Sequence, residues 1–365
     1  MTACTTLPEV EGLEAQLQGK DYEGCTSSGC GDNGAVVDGS DISWFRLDHN
    51  PYKGIRYLHF ATSQWNMNHG IFADNLDIKG NILRFGGPIT WQTGPALLNT
   101  VIRVAVEKPT EPLRRYDIQI AGVYEDTPYW TQAFSGFAES YRFTWTALTP
   151  EDDTPERGEL CPMDVSDDPW WNRAYRAVVF EGEKIDNETR NITSTGTADY
   201  VAPFNIACFG GLPAKQELAR RTSASATVDG MYHTTIADDR QNLARAWAAE
   251  YCGGGESFTH QGHKLRIKDR HQWLSIPKLG WTEDDELSPD FQFEAVWSDG
   301  RAICVDTPRL AVTDPNIPPD PEIFDRIRSV CNLPPPCTGQ SWFPKSWALH
   351  GDFATATFGA QDVLP

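Results

Sequence analysis

The sequence lacks any apolar run of the roughly 18 residues that a membrane-spanning helix needs. Basic residues are also scarce, since 31 Lys and Arg stand against 51 Asp and Glu, for a formal net charge of -20 at pH 7. That charge repels a phosphate backbone, and the densest basic run, over residues 263–271, is short and mixed. We therefore expect no nucleic-acid partner and no transmembrane span, so the chain is soluble or held to a membrane by something other than a helix.

The short motifs of common enzyme classes are missing as well. No Gly-x-Ser-x-Gly elbow, phosphate-binding glycine loop or His-Glu-x-x-His motif occurs. The nearest approach to a metal site is His260-Gln261-Gly262-His263. On a strand its two imidazoles would face opposite sides, and the glycine disfavours a helix that would bring them together. We predict no cofactor, keep His260 and His263 as candidate metal ligands, and favour a surface turn as the interpretation of this segment.

Cysteine is abundant, with nine residues in 365. Such a content is typical of proteins that mature in an oxidising compartment. An odd number requires one exception, and Thr2-Ala3-Cys4 is similar to the end of a bacterial lipoprotein processing site. Cys4 is therefore the lipidation candidate, with a free or paired thiol in the N-terminal segment as the alternative.

The other eight cysteines are candidates for disulfide bonds. Pairing does not follow from sequence alone, but we expect the bonds Cys25–Cys30, Cys161–Cys208, Cys252–Cys304 and Cys331–Cys337. Disulfides at this density predict an extracellular or cell-envelope location, in the periplasm or at the outer membrane.

Short runs rich in β-branched and aromatic residues, separated by Gly, Pro, Asn and Asp, predict antiparallel strands. The clearest runs are residues 55–62, 78–85, 97–106, 116–124, 141–148, 174–181 and 204–208. The predicted fold is mainly β with a few short helices, of the α+β class. An antiparallel β-sandwich or open barrel, joined to a disulfide-rich module, is the expected architecture.

Composition also predicts the division of the chain. Residues 1–40 form a loop-rich N-terminal segment and residues 41–150 a β-rich domain. Four prolines among acidic residues interrupt the pattern over residues 149–169, because proline cannot donate to a strand ladder. A second domain over residues 170–312 and a Pro-rich C-terminal extension with a short helix over residues 313–365 complete the prediction.

The second domain holds two sharp local signals. Leu243, Trp247 and Tyr251 recur every fourth residue in a helix predicted over residues 238–252, which Gly253 can end in the left-handed conformation. Farther along, Asp299-Gly300 separates two apolar runs and predicts a tight hairpin.

Several segments of this region resemble one known family. They are Phe204-Asn205-Ile206-Ala207-Cys208-Phe209-Gly210-Gly211-Leu212-Pro213-Ala214-Lys215, Ala249-Glu250-Tyr251-Cys252-Gly253, Phe258-Thr259-His260-Gln261-Gly262, Phe293-Glu294-Ala295-Val296-Trp297 and Ala302-Ile303-Cys304-Val305. Over about residues 200–312 they are similar to the ADYC domain, a bacterial family named for an Ala-Asp-Tyr-Cys motif. Its members are largely predicted secreted or lipid-anchored proteins of unassigned activity.

The chain departs from the family pattern at three positions. Glu250 replaces the aspartate of the motif, and Gln216 and Leu243 stand where the resemblance implies further cysteines. The joint loss of two thiols fits the loss of one disulfide as a unit. The resemblance implies structure alone and transfers no catalytic role.

Two groups remain as candidate functional residues. Trp170, Trp171 and Tyr175 are the predicted binding residues, because they would form an aromatic platform for a sugar or peptide; core packing is the alternative. Cys252 near a histidine has the composition of a thiol nucleophile, but a helix C-terminus does not favour a thiolate and Cys304 offers a disulfide partner.

These observations predict a secreted or lipid-anchored envelope protein that acts as a binding or structural module. Its expected ligand is a carbohydrate, a peptide or a protein. The alternative is a hydrolase or metal-dependent tailoring enzyme whose site is assembled from distant residues. A pocket lined by histidine and carboxylates would favour the enzyme, and a flat aromatic patch would favour binding.

Overall fold

The fold was obtained as a computed structural model. The structure describes residues 35–37, 40–51, 54–61, 75–87, 90–108, 112–129, 136–148, 156–161, 175–185, 191–194, 204–209, 211–222, 237–253, 258, 265–269, 291–309, 325, 327–328, 332–341, 348 and 353–358.

Strands dominate the described residues. In chain order they are β1 (Val36–Val37), β2 (Ser40–Asp41), β3 (Trp44–Phe45), β4 (Ile55–Ala61), β5 (Asn75–Lys79), β6 (Ile82–Gly87), β7 (Thr90–Gln92), β8 (Val101–Val106), β9 (Arg114–Pro128), β10 (Phe137–Ala147), β11 (Arg157–Glu159), β12 (Arg176–Glu181), β13 (Glu183–Ile185), β14 (Ile192–Ser194), β15 (Phe204–Cys208), β16 (Arg266–Asp269), β17 (Phe291–Ser298), β18 (Arg301–Val305) and β19 (Phe353–Phe358). Two α-helices, α1 (Leu212–Leu218) and α2 (Ala237–Ala248), and two 3₁₀ turns, Gly94–Leu97 and Cys337–Gly339, accompany them. The predicted mainly β, α+β class is confirmed.

The largest sheet has eight antiparallel strands in the order β3-β15-β12-β10-β9-β8-β4, with β11 also paired to β10. Both β11 and β12 pair with β10, at successive positions along it. The strands before, within and after the Pro-rich segment at residues 149–169 therefore belong to one sheet. The run predicted over residues 78–85 is two strands, because Gly80 adopts a φ of 65° and turns the chain between β5 and β6.

The two faces of this sheet pack into two different cores. On β12, Ala177 and Val179 belong to a cluster that includes Leu83 and Phe85 of the three-stranded sheet β5-β6-β7. Val178 and Phe180 point the other way, into a cluster that includes residues of α1, α2 and β17. Successive strand residues face opposite sides, so the eight-stranded sheet is the middle layer of a sandwich-like arrangement.

The C-terminal extension is an integral part of a four-stranded sheet. Its order is β16-β19-β17-β18, so β19 lies between two strands of the region predicted as residues 170–312. The β17–β18 hairpin turns at Asp299 and Gly300, both with positive φ, as the Asp-Gly signal predicts.

Helix α2 ends earlier than the sequence predicts. Its last residue is Ala248, and Ala249 adopts the left-handed conformation with a φ of 51°. The Glu250 amide then donates to the Arg245 carbonyl at 2.9 Å, as in a helix C-cap. The prediction that Gly253 ends the helix is wrong, and Tyr251 leaves the helix for the interior.

Two disulfide bonds are present among the described cysteines. Cys161 is bonded to Cys208, the pair expected from the sequence, and ties the end of β11 to β15 across a Cα–Cα distance of 5.4 Å. Cys304 is bonded to Cys337, so the expected pairs Cys252–Cys304 and Cys331–Cys337 are wrong. The reason is that residues 334–338 run beside the end of β18, where Val305 N donates to the Pro335 carbonyl at 3.1 Å.

Cys252 also takes part in a disulfide bond, and we expect its partner to be Cys331. Ile327 and Leu333, on either side of residue 331 in sequence, contact the same apolar cluster as Cys252. Peptide mapping of unreduced protein is expected to yield a linked peptide with Cys252 and Cys331; a peptide linking Cys252 to another cysteine would contradict this pairing.

Candidate functional site

A buried network surrounds Tyr251. Its hydroxyl donates to Glu294 Oε1 at 2.8 Å and accepts from the Arg309 backbone amide at 2.7 Å. Its ring stacks with Phe258 and Trp297, at centroid distances of 5.8 and 5.6 Å. The tyrosine thus connects the end of α2 to β17 and to the chain after β18.

Arg309 completes the network with an ion pair inside the protein. Its Nη2 donates to Glu294 Oε1 at 2.9 Å and to the Ala246 carbonyl at 2.8 Å, and Nη1 donates to the Trp247 carbonyl at 3.0 Å. The last carbonyls of a helix have no partner within the helix, and here the guanidinium supplies it. A cation at this position also complements the negative end of the helix dipole.

The electrostatics of this network indicate a structural role. Burial raises the pKa of the Glu294 carboxyl, and the Arg309 guanidinium opposes that rise. Burial also raises the pKa of Tyr251 well above its ordinary value, so its hydroxyl keeps its proton and remains a donor. Because Tyr251, Glu294 and Arg309 are almost fully inaccessible to solvent, no substrate reaches them in this structure.

A second buried polar cluster lies where α1 meets the β5–β6 turn. Asn81 Nδ2 donates to Glu217 Oε1 at 2.9 Å, Thr222 donates to the other carboxylate oxygen, and Asn81 also contacts the Tyr129 hydroxyl. Arg220 lies over the Tyr129 ring at 4.3 Å. Burial, followed by the nearby Glu217 charge, raises the pKa of Tyr129. The cluster fixes α1 to the sandwich.

The face of the eight-stranded sheet that packs on α1 and α2 also carries a different arrangement, which is partly open to solvent. Arg142 on β10 pairs directly with Gly122 on β9 and with Arg176 on β12, so the three residues share one face. This is also the face of Val178, two residues after Arg176, which α1 and α2 help to cover. The part of this face that the two helices do not cover carries polar and aromatic side chains.

The Tyr124 ring rests on Gly122 in this row. A Cβ at Gly122 would lie 2.7 Å from the Tyr124 hydroxyl oxygen, so only glycine leaves room for the ring. The Arg176 guanidinium covers the ring at 3.6 Å from its centroid and donates to Asp126 Oδ1 at 2.9 Å. The stacking and the ion pair together fix the side chain of Arg176, on β12, against residues of β9.

Tyr175 and Arg142 continue the row. Arg142 Nε donates to Glu159 Oε2 at 3.1 Å, and its guanidinium lies 5.4 Å from the Tyr175 ring centroid. Tyr175 adopts a φ of 67°. A positive φ is unfavourable for an aromatic residue, and such strained backbone conformations often occur at functional sites. We call Tyr124, Asp126, Arg142, Glu159, Tyr175 and Arg176 the Tyr–Arg strip.

A pair of glutamates lies at the rim of the same sheet. Glu125 Oε1 and Glu139 Oε2 lie 3.1 and 3.8 Å from the position of a Cβ on Gly94, so both carboxylates approach one point. The Tyr141 hydroxyl donates to Glu139 and accepts from the Leu83 amide at 2.9 Å. Burial, together with the Glu125 charge, raises the pKa of Glu139 above its ordinary 4.5.

This shift predicts how pH affects stability. A carboxyl with a raised folded-state pKa binds its proton more tightly in the folded than in the unfolded protein, so its contribution to stability is present below pH 4.5 and is lost as pH rises through the folded-state pKa. Glu139→Gln removes this loss, because the glutamine amide does not ionise. We expect the variant to have a higher urea midpoint than the natural protein at pH 7 and no advantage below pH 4.5.

The matched control is Glu107→Gln, which changes an exposed glutamate at the end of β8. The urea midpoint of this control variant is expected to equal that of the natural protein at each pH. A Glu139→Gln variant that is destabilised at pH 7, or whose advantage is the same at every pH, would contradict the shift.

One family model matches the amino-acid sequence of this chain. The model of the ADYC domain covers residues 94–311, more than half of the chain. The chain belongs to the ADYC-domain family. Neither the curated proteins nor the solved structures hold a match to it.

The ADYC domain matched here includes both the buried network around Tyr251 and the Tyr–Arg strip. In the name motif, Glu250 stands in place of aspartate, is fully buried, and lies 3.0 Å from Arg245 Nε through Oε2. Arg245 Nη2 also donates to Asn191 Oδ1 at 3.0 Å. The motif residues of this ADYC-domain protein therefore fasten the end of α2 to its surroundings.

The two positions where the resemblance implied further cysteines lie on adjacent helices. Gln216 is on α1 and Leu243 on α2, and both are fully buried. Gln216 Nε2 donates at 3.0 Å to the carbonyl of Arg240, one turn before Leu243. In this ADYC-domain protein a hydrogen bond and apolar packing thus join the helices here.

The structure describes some of the predicted site residues and not others. Tyr175 belongs to the Tyr–Arg strip, and Cys161, Cys208, Cys304 and Cys337 form the two disulfide bonds described above. Eight predicted residues lie outside the part of the chain that the structure describes: Trp170, Trp171, His260, His263, Cys4, Cys25, Cys30 and Cys331. Cys252 is disulfide-bonded and so presents no thiolate. No three metal-binding side chains converge among the described residues, and no described helix is long and apolar enough to cross a membrane.

Sequence reasoning missed Tyr124, Arg142 and Arg176. They come from three strands, and only the register of the sheet shows that they are neighbours. One usable signal was present: Arg142 lies between Tyr141 and Phe143 in an otherwise apolar run, and an arginine there indicates a face that does not belong to the core.

Proposed function

We propose that this protein is a disulfide-stabilised binding module that works outside the cytoplasm, secreted or lipid-anchored through Cys4, and that the Tyr–Arg strip is its binding surface. Membership of the ADYC family and the disulfides of Cys161, Cys208, Cys304 and Cys337 support the scaffold and its compartment. Trp170 and Trp171, five and four residues before Tyr175, are proposed to extend the surface.

The observation that carries the proposal is an ordered polar and aromatic row on a solvent-facing part of the sheet. The side chains of Arg142 and Glu159 are 41% and 25% exposed, yet each is held by its partner. Asp126 is 63% exposed and holds the mostly buried Arg176. Side chains fixed before binding lose less conformational entropy when a ligand arrives. The expected ligand classes are carbohydrate, peptide and protein.

Binding by purified, unreduced protein tests this proposal. Immobilised neutral and acidic polysaccharides and a peptide array serve as probes. We expect binding to at least one class, weakened about tenfold or more by Tyr175→Ala and by Arg142→Ala. The control is Arg84→Ala, because Arg84 also stacks on an aromatic ring (Trp91, 4.3 Å) and pairs with a carboxylate, but on another sheet.

The control variant is expected to bind as the natural protein does. Absence of binding to every probe, or binding that both strip variants leave unchanged, would refute the proposed surface. The proposed compartment is tested separately, by alkylating free thiols in cell fractions: reduced cysteines in a cytoplasmic protein would refute it.

A hydrolase is the second candidate, and the Glu125–Glu139 pair favours it. Both carboxylates approach one point, and burial raises the pKa of the Glu139 carboxyl. A pair of neighbouring carboxylates is the arrangement that acid–base hydrolysis of glycosidic bonds uses. Release of reducing sugar from the same polysaccharides, abolished in Glu139→Gln and in Glu125→Gln, would support this candidate. No release from any of the polysaccharides would count against it.

A further inference from the structure

We infer that the Tyr–Arg strip recognises a neutral, hydroxyl-rich polysaccharide. This inference rests on the proposed binding function and names the ligand class. It joins three observations: the balanced charges of the strip, the fixed planar groups along it, and the partly exposed ring of Tyr175.

The charges of the strip cancel in pairs. Arg142 is paired with Glu159 and Arg176 with Asp126, so the two guanidinium groups and two carboxylates carry no net charge. A polyanion would meet two carboxylates on the strip and a chain of net charge -20 around it. A polycation would meet two guanidinium groups that already occupy the carboxylates. The strip thus favours a ligand without charge.

Each ion pair also places donors beside acceptors. A guanidinium has five N–H donors and no acceptor, whereas a carboxylate only accepts. A sugar hydroxyl both donates and accepts, so a pair of adjacent hydroxyls matches a guanidinium edge next to a carboxylate edge. Arg142 and Glu159, exposed and joined by the 3.1 Å bond from Nε, offer such a combination.

The two tyrosines have different parts in this surface. Tyr124 has one side on Gly122 and the other under Arg176, so it supports the guanidinium and does not itself stack on a ligand. Tyr175 is partly exposed, and its centroid lies 5.4 Å from the Arg142 guanidinium, a looser contact than the 3.6 Å of Arg176 and Tyr124. The apolar face of a pyranose ring would pack against Tyr175.

The shape of the site indicates a polymer and not a single sugar. The strip lies on a sheet face. Its members come from β9, β10, β11 and β12, and Tyr175 directly precedes β12. A flat surface buries little of one monosaccharide, whereas concave pockets bury most of a small ligand. Several sugar units lying across neighbouring strands are therefore needed for measurable affinity.

Affinity electrophoresis in gels that contain a neutral polysaccharide (dextran, glucomannan or galactan) or an acidic one (alginate or polygalacturonate) tests the inference. We expect at least one neutral polymer to retard the protein. Retardation should hardly change between low and high salt, since no ligand charge is screened. Tyr175→Ala should weaken it about tenfold, and Arg84→Ala should leave it unchanged.

A second variant removes charge but keeps shape. Arg142→Gln combined with Glu159→Gln keeps planar donors and acceptors, so binding of a neutral polymer should fall no more than a few fold. Retardation by the acidic polymers alone, with strong salt dependence, would overturn the neutral ligand while the strip remained a binding surface. If no polymer retards the protein, or if no strip variant changes the retardation, both the ligand class and the proposed function would be overturned.

Discussion

Replacing Arg309 with alanine is expected to lower the free energy of unfolding by about 3–5 kcal/mol, because Glu294 would remain buried without its charged partner. The same change removes the donors to the Ala246 and Trp247 carbonyls at the end of α2. Urea denaturation at neutral pH, followed by tryptophan fluorescence, measures the effect. Trp297 is a suitable reporter because it is fully buried beside Tyr251.

The matched control removes an arginine from an exposed ion pair. Arg328 lies 3.8 Å from Asp325, with the two side chains 53% and 79% exposed. Arg328→Ala is expected to cost less than about 1 kcal/mol. Arg309→Lys keeps the positive charge but loses the planar guanidinium, so its loss of unfolding free energy should lie between those of Arg309→Ala and Arg328→Ala. This variant gives a result even if Arg309→Ala does not fold. Equal effects of Arg309→Ala and Arg328→Ala would show that the buried network does not stabilise the fold.

Removal of a disulfide bond is the second large effect. Cys304→Ala combined with Cys337→Ala opens a link between residues 33 positions apart. The loop-entropy relation gives a loss of about 4 kcal/mol for a link of that span. The Cys161–Cys208 bond spans 47 positions, so its removal should cost a similar amount. The melting temperature of each double variant, measured by calorimetry, reports the loss.

Complete reduction extends the same test to the natural protein. Both sulfurs of the Cys304–Cys337 bond are buried, so dithiothreitol must act until mass spectrometry shows the reduced form. We expect the reduced protein to melt at a much lower temperature than the oxidised one. An unchanged melting curve after proven reduction would contradict a disulfide-stabilised scaffold.

The features that the sequence predicted well are local. The Asp299-Gly300 hairpin follows from two adjacent residues whose preference for positive φ matches the turn. Strands β12 and β15 follow from short β-branched runs, and a helix before Tyr251 follows from one repeated spacing. Each of these depends on interactions within a few residues.

The features that the sequence missed depend on distant partners. Cys304 bonds to Cys337 because the chain after residue 331 returns along β18, whereas the sequence alone had suggested Cys252 as the partner of Cys304. Helix α2 ends at Ala248 with Ala249 in the left-handed conformation, and Arg309, some 60 positions later, donates to the carbonyls of Ala246 and Trp247. The Tyr–Arg strip needs the register of four strands, which no single segment contains.

The central claim is that scaffold and binding surface are separate: Tyr251 of the family motif holds the fold, and Tyr175 of the strip holds the ligand. Stability and polysaccharide binding measured in parallel on two variants test it most directly. Tyr251→Phe should cost about 1–3 kcal/mol, since it leaves the Arg309 amide without an acceptor, and should bind normally while folded. Tyr175→Ala should lose about tenfold in binding with little change in stability. The reverse pattern, in which Tyr251→Phe abolishes binding in the folded protein and Tyr175→Ala does not weaken it, would contradict the account.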